Sequence, residues 1–457
     1  MAVTALAGAY GVGSARAAAE HPLLQTSFDA TERYEDSGEL LDDFEDLDAW
    51  TASEGEINPE TDDVYKGSQS AELFLSADDS GDLEVYREYD GLDLSEKALS
   101  LAIKLISPFT EQLVVTVKTG SGDVQMKRRT IGPNYGWFRI DLGVTGEDGD
   151  PDLSDVEEIE LYFNRDFDED IRALVDDLRV TERTDRGRVV VTFDDGGITQ
   201  YDTALPIMEA RDIPALTMIN SGRAPDDDYL GEAEMREMRD AGWEIGSHTV
   251  DHADLLTLSD AEVRQQVEDN KRWLLERGFE RGSWFFSYPW SGNTPAIRDI
   301  VGDYHYAAVT DGSLPHGGQL TAPLTIGRVF GEELDRVEDT IALAEKYDQT
   351  LVLAYHQVGE SGWISEDDFR ATMDRIADSD IEAVRPSTLL TDVLSPSIQE
   401  VVPLSVREAV AGDGSLELPD IQRAIDWYER DAYVPRTNGE QIDDQTLDDL
   451  IQEWKND

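Results

Sequence analysis

Two adjacent carboxylates, Asp194 and Asp195, follow a strand-forming run, Arg188 to Thr192, and precede the glycine pair Gly196-Gly197. A buried parallel strand that ends in a turn presents its functional groups at its carboxyl end, where neighbouring residues point in different directions. One carboxylate can then hold a metal while the other faces a substrate as a base. Taken alone, an Asp-Asp-Gly in an acidic chain reads as a solvated turn. A second strand end changes that balance: Ser247-His248-Thr249-Val250-Asp251-His252 follows the short strand Trp243 to Ile245. Histidines four apart can aim two imidazoles at one point, and the chain has only six histidines. One Asp with two His leaves a coordination position open, the pattern of a catalytic metal rather than a structural one. A third strand end, Leu353-Ala354-Tyr355-His356, offers a histidine suited to protonating a leaving group. By itself it would read as a core-edge residue.

The elements that must bring these three ends together come from a change of period after Arg183-Thr184-Asp185-Arg186. Strands expected at 189–192, 215–219, 243–245, 284–287, 306–309, 326–330 and 351–354 alternate with helices at 201–211, 232–241, 260–277, 294–301, 337–347 and 366–378, and 381–384 closes the series. This βα alternation predicts a barrel, or else an open parallel sheet. Residues 40–184 carry a different pattern, short alternating runs such as Leu99 to Leu105 and Leu113 to Lys118 between Gly, Asp and Pro turns, which predicts an antiparallel sandwich. From Ser395 onward the chain reads as acidic helices. The division expected is 1–39 for an export-signal remnant and linker, 40–184 for the sandwich, 185–395 for the barrel and 396–457 for a helical appendage.

The chain has 457 residues, with 99 Asp+Glu against 38 Lys+Arg and a formal net charge of -61. Such a surface repels itself in dilute buffer, whereas in molar salt the Debye length falls to about 3 Å. We read a halophilic protein. A disordered acidic chain is excluded by 40% hydrophobic residues, nine of them Trp, in patterned runs. Nucleic acid is excluded as a partner by the same charge. The chain lacks cysteine, so thiolate and disulfide chemistry drop out. The apolar run Ala2 to Gly13 followed by Ser14-Ala15-Arg16-Ala17-Ala18-Ala19 matches the end of an export signal without its basic start, and predicts an extracellular or cell-surface protein. No later run approaches the roughly 20 apolar residues of a membrane span.

With these residues in hand, 188–393 resembles the polysaccharide deacetylases, the carbohydrate esterase family 4 proteins that share a NodB-type domain. The resemblance rests on Thr192 to Gly196, Ser247 to His252, Phe286-Ser287-Tyr288-Pro289-Trp290 and Leu353 to His356. It implies a distorted (β/α) barrel of NodB type with about seven strands. It also implies Asp194 as catalytic base, Asp195, His248 and His252 as ligands of a divalent metal, usually Zn2+, and His356 as general acid. The activity implied is removal of acetyl groups from an N-acetylated polysaccharide by water activated at the metal. Alternatives are an esterase on O-acetylated glycan or a non-catalytic glycan-binding surface protein. In this family a backbone N–H, here that of Trp290, receives the oxyanion, and Tyr288 and Trp290 are candidates to wall the acetyl pocket.

Many family members carry an arginine ahead of the Pro-Tyr pair that orients the base; here 284–288 holds none, and Trp290 replaces the tyrosine. Arg328 is the candidate to supply that charge from another strand. Asp311 and Asp335 are candidates to tune His356. Residues 40–184 resemble carbohydrate-binding jelly-roll modules, between Asp42-Asp43-Phe44-Glu45 and Val175-Asp176-Asp177-Leu178, and such modules often hold a structural Ca2+, for which Asp177 and Glu45 are candidate ligands.

Overall fold

The computed structural model describes residues 21–26, 37–165, 167–224, 226–312, 314–359, 363–394, 397–398, 401–412 and 414–456. The export-signal run falls outside these residues, as does most of the linker.

The change of period at residue 183 is a change of architecture. Before it, two antiparallel sheets, each of six strands among the described residues, share one core. The strand Lys97–Ser107 shows why this module also packs on its other side. Leu99, Leu101, Ile103 and Leu105 fill the sandwich core, while the alternate positions carry the small residues Ala98, Ser100 and Ala102, also buried. A strand with large side chains on one face and small ones on the other lets a second body approach closely. That body is the barrel: Ser100 and Thr321 share a hydroxyl hydrogen bond of 2.9 Å, and Leu314 and Tyr347 join the sandwich core.

After residue 183 seven parallel strands close on themselves: Arg188–Phe193, Ala215–Ile219, Glu244–Ser247, Phe285–Ser287, Ala307–Asp311, Ile326–Phe330 and Thr350–Tyr355. The first strand pairs with both the second and the seventh, which is what distinguishes a barrel from an open sheet. Glu382–Ala383 adds a short pairing to the outer part of the first strand. The first strand is buried from Val189 to Phe193, as expected of a parallel strand covered by helices on one side and barrel contents on the other. Helices end where their sequences say. Ser259 and Glu262 make a capping box before Asp260–Leu275, and Thr294 caps Pro295–Gly302. The segment expected as one helix at 201–211 is instead a wide turn, Gln200–Ala204, leading into the short helix Leu205–Glu209.

The last three helices, Val406–Ala411, Leu418–Glu429 and Asp444–Asn456, form a separate small core. They dock where the fourth barrel strand begins, away from the strand ends that carry the candidate residues: the buried Glu280 carboxylate accepts from the backbone N–H of Arg436 at 3.0 Å and of Asn438 at 2.7 Å. No helix among the described residues is long and apolar enough to cross a membrane.

The expected calcium ligands of the sandwich do not come together. Asp177 is buried and its Oδ2 is held by two guanidinium groups, Arg139 and, at 2.8 Å, Arg179. Glu45 instead accepts from the N–H and hydroxyl of Ser68, both at 2.6 Å. The module supplies its own counter-charge to Asp177, so a cation there would have to displace two arginines.

Sandwich and barrel are joined by polar contacts. Asp141 Oδ2 accepts from Thr321 N–H at 2.9 Å and Ala322 N–H at 3.2 Å, and Oδ1 from the Thr321 hydroxyl at 2.5 Å. Gln349 bonds both backbone groups of Val144. Asp141→Ala strips three donors, two of them buried, of their acceptor and should cost about 2–4 kcal/mol of stability, measured by urea unfolding in molar salt; an unchanged midpoint would mean that the junction does not stabilise the fold.

Candidate active site

Asp194 is the first residue beyond strand one, its N–H given to Tyr355 O at 2.9 Å. Its side chain turns into the barrel and is buried. There Arg328, from the sixth strand, donates Nη1–H to Oδ1 at 2.9 Å and Nη2–H to Oδ2 at 2.7 Å, and Ser287 Oγ–H donates to Oδ2 at 3.1 Å. Burial opposes the ionised carboxyl, but the charge of Arg328 and its hydrogen bonds outweigh it and hold the pKa well below the usual carboxylate range. The arginine missing from 284–288 is thus matched by one from a strand 40 residues later, in fork-to-fork geometry.

Asp195 goes the other way. Its backbone is left-handed, φ 70°, followed by Gly196 at φ 66°, and this reversal turns its carboxylate away from Asp194's partners. Oδ1 lies 3.3 Å from His252 Nε2 and 3.8 Å from His248 Nε2. Ligand atoms of these three residues lie within 4.8 Å of one another, the one such grouping among the described residues. His248 is buried and its Nδ1 lies 2.8 Å from Ser287 O. That contact assigns the proton to Nδ1 and leaves the Nε2 lone pair facing Asp195. Burial first, then the neighbouring His248, lowers the His252 pKa to about 4, so its imidazole can be a ligand at neutral pH. The donor set fits a divalent ion with an open position.

The turn that carries the histidines is strained. Thr249 at φ 68° and His252 at φ 56° are both left-handed, and for a β-branched threonine this is a costly conformation. Backbone bonds over-determine it. Asn220 Nδ2 donates to the carbonyls of His248 and Thr249, Gly222 N–H to Val250 O at 3.0 Å, and Thr249 Oγ accepts from His252 N–H at 3.0 Å. Asn270 ties the ends of the second and third strands, donating to Ile219 O and Ser247 Oγ. Gln200 does the same for the first and seventh, donating to Asp194 O at 2.7 Å and His356 O at 3.0 Å.

His356 stands at the end of the seventh strand, its Nδ1 3.5 Å from Glu332 Oε1 and its ring stacked on Trp363 at 4.1 Å. Burial disfavours its charge, but Glu332 and the charge of Asp194 more than offset this, raising its pKa above the ordinary histidine value. Neither Asp311 nor Asp335 takes this role. Asp311 lies 3.8 Å from Arg328, and Asp335 is exposed in the first turn of the helix Leu334–Lys346. Tyr288 lies in the core, its hydroxyl donating to Leu324 O at 3.1 Å; packing with Phe286 and Tyr304 removes it from the site. Trp290 is 75% exposed and edge-on to His252 at 5.0 Å. Trp290 and Trp363 therefore present indole faces beside His252 and His356. Arg223 Nη1 approaches Asp195 Oδ1 at 3.3 Å.

Glu332, Gln200, Trp363 and Arg223 belong to none of the sequence motifs, and Ser287 lies in one that assigns it no role. Glu332 follows a barrel strand by two residues, and strand-end position is the signal that could have marked it. For Ser287 and Gln200 no sequence signal exists, because their partners, the Asp194 carboxylate and His248 ring for the one and the Asp194 and His356 carbonyls for the other, lie on distant segments.

Residues 181–309 match the family model described as Polysaccharide deacetylase. This span holds Asp194, Asp195, His248 and His252 but ends before Arg328 and His356. The Bacillus subtilis (strain 168) protein YxkH, whose name assigns it to the polysaccharide deacetylases, is 31% identical over 101 residues, 22% of this chain and 36% of that protein. An Arthroderma benhamiae protein named as a peptidoglycan-N-acetylglucosamine deacetylase is 27% identical over 128 residues, 28% of this chain and 29% of that protein. The chain thus spans about a third of the length of the curated relatives it matches. A solved family 4 carbohydrate esterase from Streptomyces lividans in complex with acetate is similar at 17% identity and TM-score 0.30, covering 42% of this chain and 86% of that one. A family 4 pseudoenzyme from Bacillus anthracis is similar at 14% identity and TM-score 0.32, covering 43% and 64%. At such TM-scores these two likenesses add nothing to the assignment. The family match thus lies over the first part of the barrel, with both carboxylates and both histidines inside it.

Proposed function

We propose that the barrel hydrolyses acetyl groups from an N-acetylated polysaccharide with the help of a divalent metal. The observation that supports this most is the division of labour between adjacent aspartates: Asp195 faces two imidazoles, while Asp194 faces an arginine and a serine. Asp195, His248 and His252 would hold the ion, and two nitrogens with one oxygen make Zn2+ the natural occupant. When bound, the metal polarises the acetyl carbonyl and acidifies water.

The remaining work falls to the chain. Arg328 and Ser287 fix the Asp194 carboxylate so that it meets the attacking water with a lone pair already aimed. The same arginine weakens Asp194 as a base, which is tolerable only where the water has been acidified. As the water oxygen bonds to the acyl carbon its proton passes to Asp194, and the backbone N–H of Trp290 is the candidate donor to the oxyanion. His356, kept protonated by Glu332, gives its proton to the leaving nitrogen as the C–N bond breaks, and acetate departs. Trp290 and Trp363 offer apolar faces to the sugar rings on either side of the cleaved bond.

Acetate release from acetylated chitooligosaccharides in molar salt tests the reading. Chelation should abolish release and added zinc restore it, and Asp194→Asn should lower kcat by roughly a thousandfold or more. Wild-type kcat in Asp194→Asn would end the assignment of the base. Calorimetric titration with zinc should show at least about a hundredfold weaker binding for Asp195→Ala, and equal affinity would mean the ligands are wrong. Activity that needs protonated His356 persists below its raised pKa and is lost as pH rises through it. Glu332→Gln should therefore move the alkaline limb of the kcat profile to lower pH; an unmoved limb would remove Glu332 from this role. Arg328→Met leaves Asp194 buried without its partner and should cost about 3–5 kcal/mol in urea unfolding.

A further inference from the structure

The junction of sandwich and barrel contains a cleft of about 480 Å³ that the site above does not use. Tyr65, Trp137 and Lys104 line it from the sandwich, and Pro295, Arg298 and Thr321 from the barrel. Its volume is that of a small-ligand site, and domain junctions are where such sites occur. Tyr65 and Trp137 are half-buried, their ring centroids 5.6 Å apart and tilted by 50°. Trp137 Nε1–H donates to Asp63 Oδ1 at 2.8 Å, and Lys104 pairs with Oδ2 of the same carboxylate. The indole is thus anchored by its polar edge and keeps an apolar face for contact. The barrel holds the aromatic wall from behind: Arg298 Nη2 donates to Tyr135 O at 2.8 Å and Trp137 O at 2.6 Å.

The chemistry of this lining selects its ligand. The sandwich-side cations are already engaged, Lys104 with Asp63 and Arg139 with Asp177. The cleft offers apolar ring faces beside a fixed Lys–Asp pair, which suits a neutral ligand with alternating C–H faces and hydroxyl groups. The cleft is also tied to the mouth of the active site. The chain from Trp290 runs to Pro295 along the sandwich, with Asn134 Nδ2 donating to Asn293 O at 3.0 Å and Pro295 packed against Gly136. Five residues span at most ~18 Å, so one polymer chain can occupy both places.

The geometry points to the junction cleft as a second glycan-binding subsite, one that holds a neutral sugar of the same polymer several rings from the acetyl group being removed. This rests on the deacetylase reading for its ligand, and it makes the sandwich a wall of the substrate path rather than a tethered module.

The test compares fully acetylated chitohexaose with chitobiose, in molar salt with zinc. The wild type should show a lower KM for the hexaose, and Tyr65→Ala or Trp137→Ala should reduce that preference roughly tenfold. Trp137→Ala keeps the carbonyl that Arg298 holds, and a general loss of fold would affect both lengths alike and leave the ratio standing. An unchanged KM ratio in both variants overturns the inference. Should the wild type cleave neither sugar, the deacetylase reading on this glycan fails by itself. Calorimetry with the hexaose then decides for the cleft: binding that Trp137→Ala abolishes supports it, and no binding, or binding unaffected by both variants, overturns it.

Discussion

The buried pair between Asp194 and Arg328 is the constraint on which the site depends. Both side chains are almost fully out of water, at 6% and 3% exposure, and neither could be left there alone without a cost of several kcal/mol. The fork geometry uses both carboxylate oxygens, so the pair fixes orientation as well as charge. One partner sits on the first strand's end and the other on the sixth strand, with Ser287 from the fourth strand completing the shell. A barrel that closed in another register would break this triangle.

From that pair the rest of the site follows by reversal of the chain. Asp194 faces inward, so Asp195 must be turned by a left-handed backbone to meet the histidines. Those histidines need a second left-handed turn of their own, at Thr249 and His252. Ser287 links the two halves, donating its hydroxyl to Asp194 while its carbonyl holds the His248 ring. The strain in these turns is offset by side-chain amides, Gln200, Asn220 and Asn270, which bond backbone groups that helix or sheet pairing leaves over. Such amides rigidify strand ends that would otherwise fray as loops.

The sandwich is part of the same argument. It packs small residues against the barrel, supplies Asp141 as acceptor for three barrel donors, and clamps the loop that starts at Trp290 through Asn134 and Tyr135. A site whose mouth loop is held by a neighbouring domain is positioned by that domain. The acidic surface plays no part in this local geometry, since the buried carboxylates of the junction and the site are each met by a donor or a guanidinium group.

By itself the sequence determined the order of sandwich, barrel and helices, because hydrophobic period is a local property and changes abruptly near residue 183. It also determined Asp194, Asp195, His248, His252 and His356 as a candidate set, because strand ends of a parallel barrel converge whatever their separation along the chain. It named Arg328 as the candidate to orient the base from another strand. Tertiary structure alone decided the two-pronged geometry by which Arg328 grips Asp194, that Glu332 rather than Asp311 or Asp335 lies beside His356, that Tyr288 is core, and that Asp177 meets two arginines. Each of these turns on which face of a strand a residue occupies and which distant backbone it meets. Residue type and spacing carry no record of such encounters, since a side chain's partners are set by strand register and the packing of whole elements.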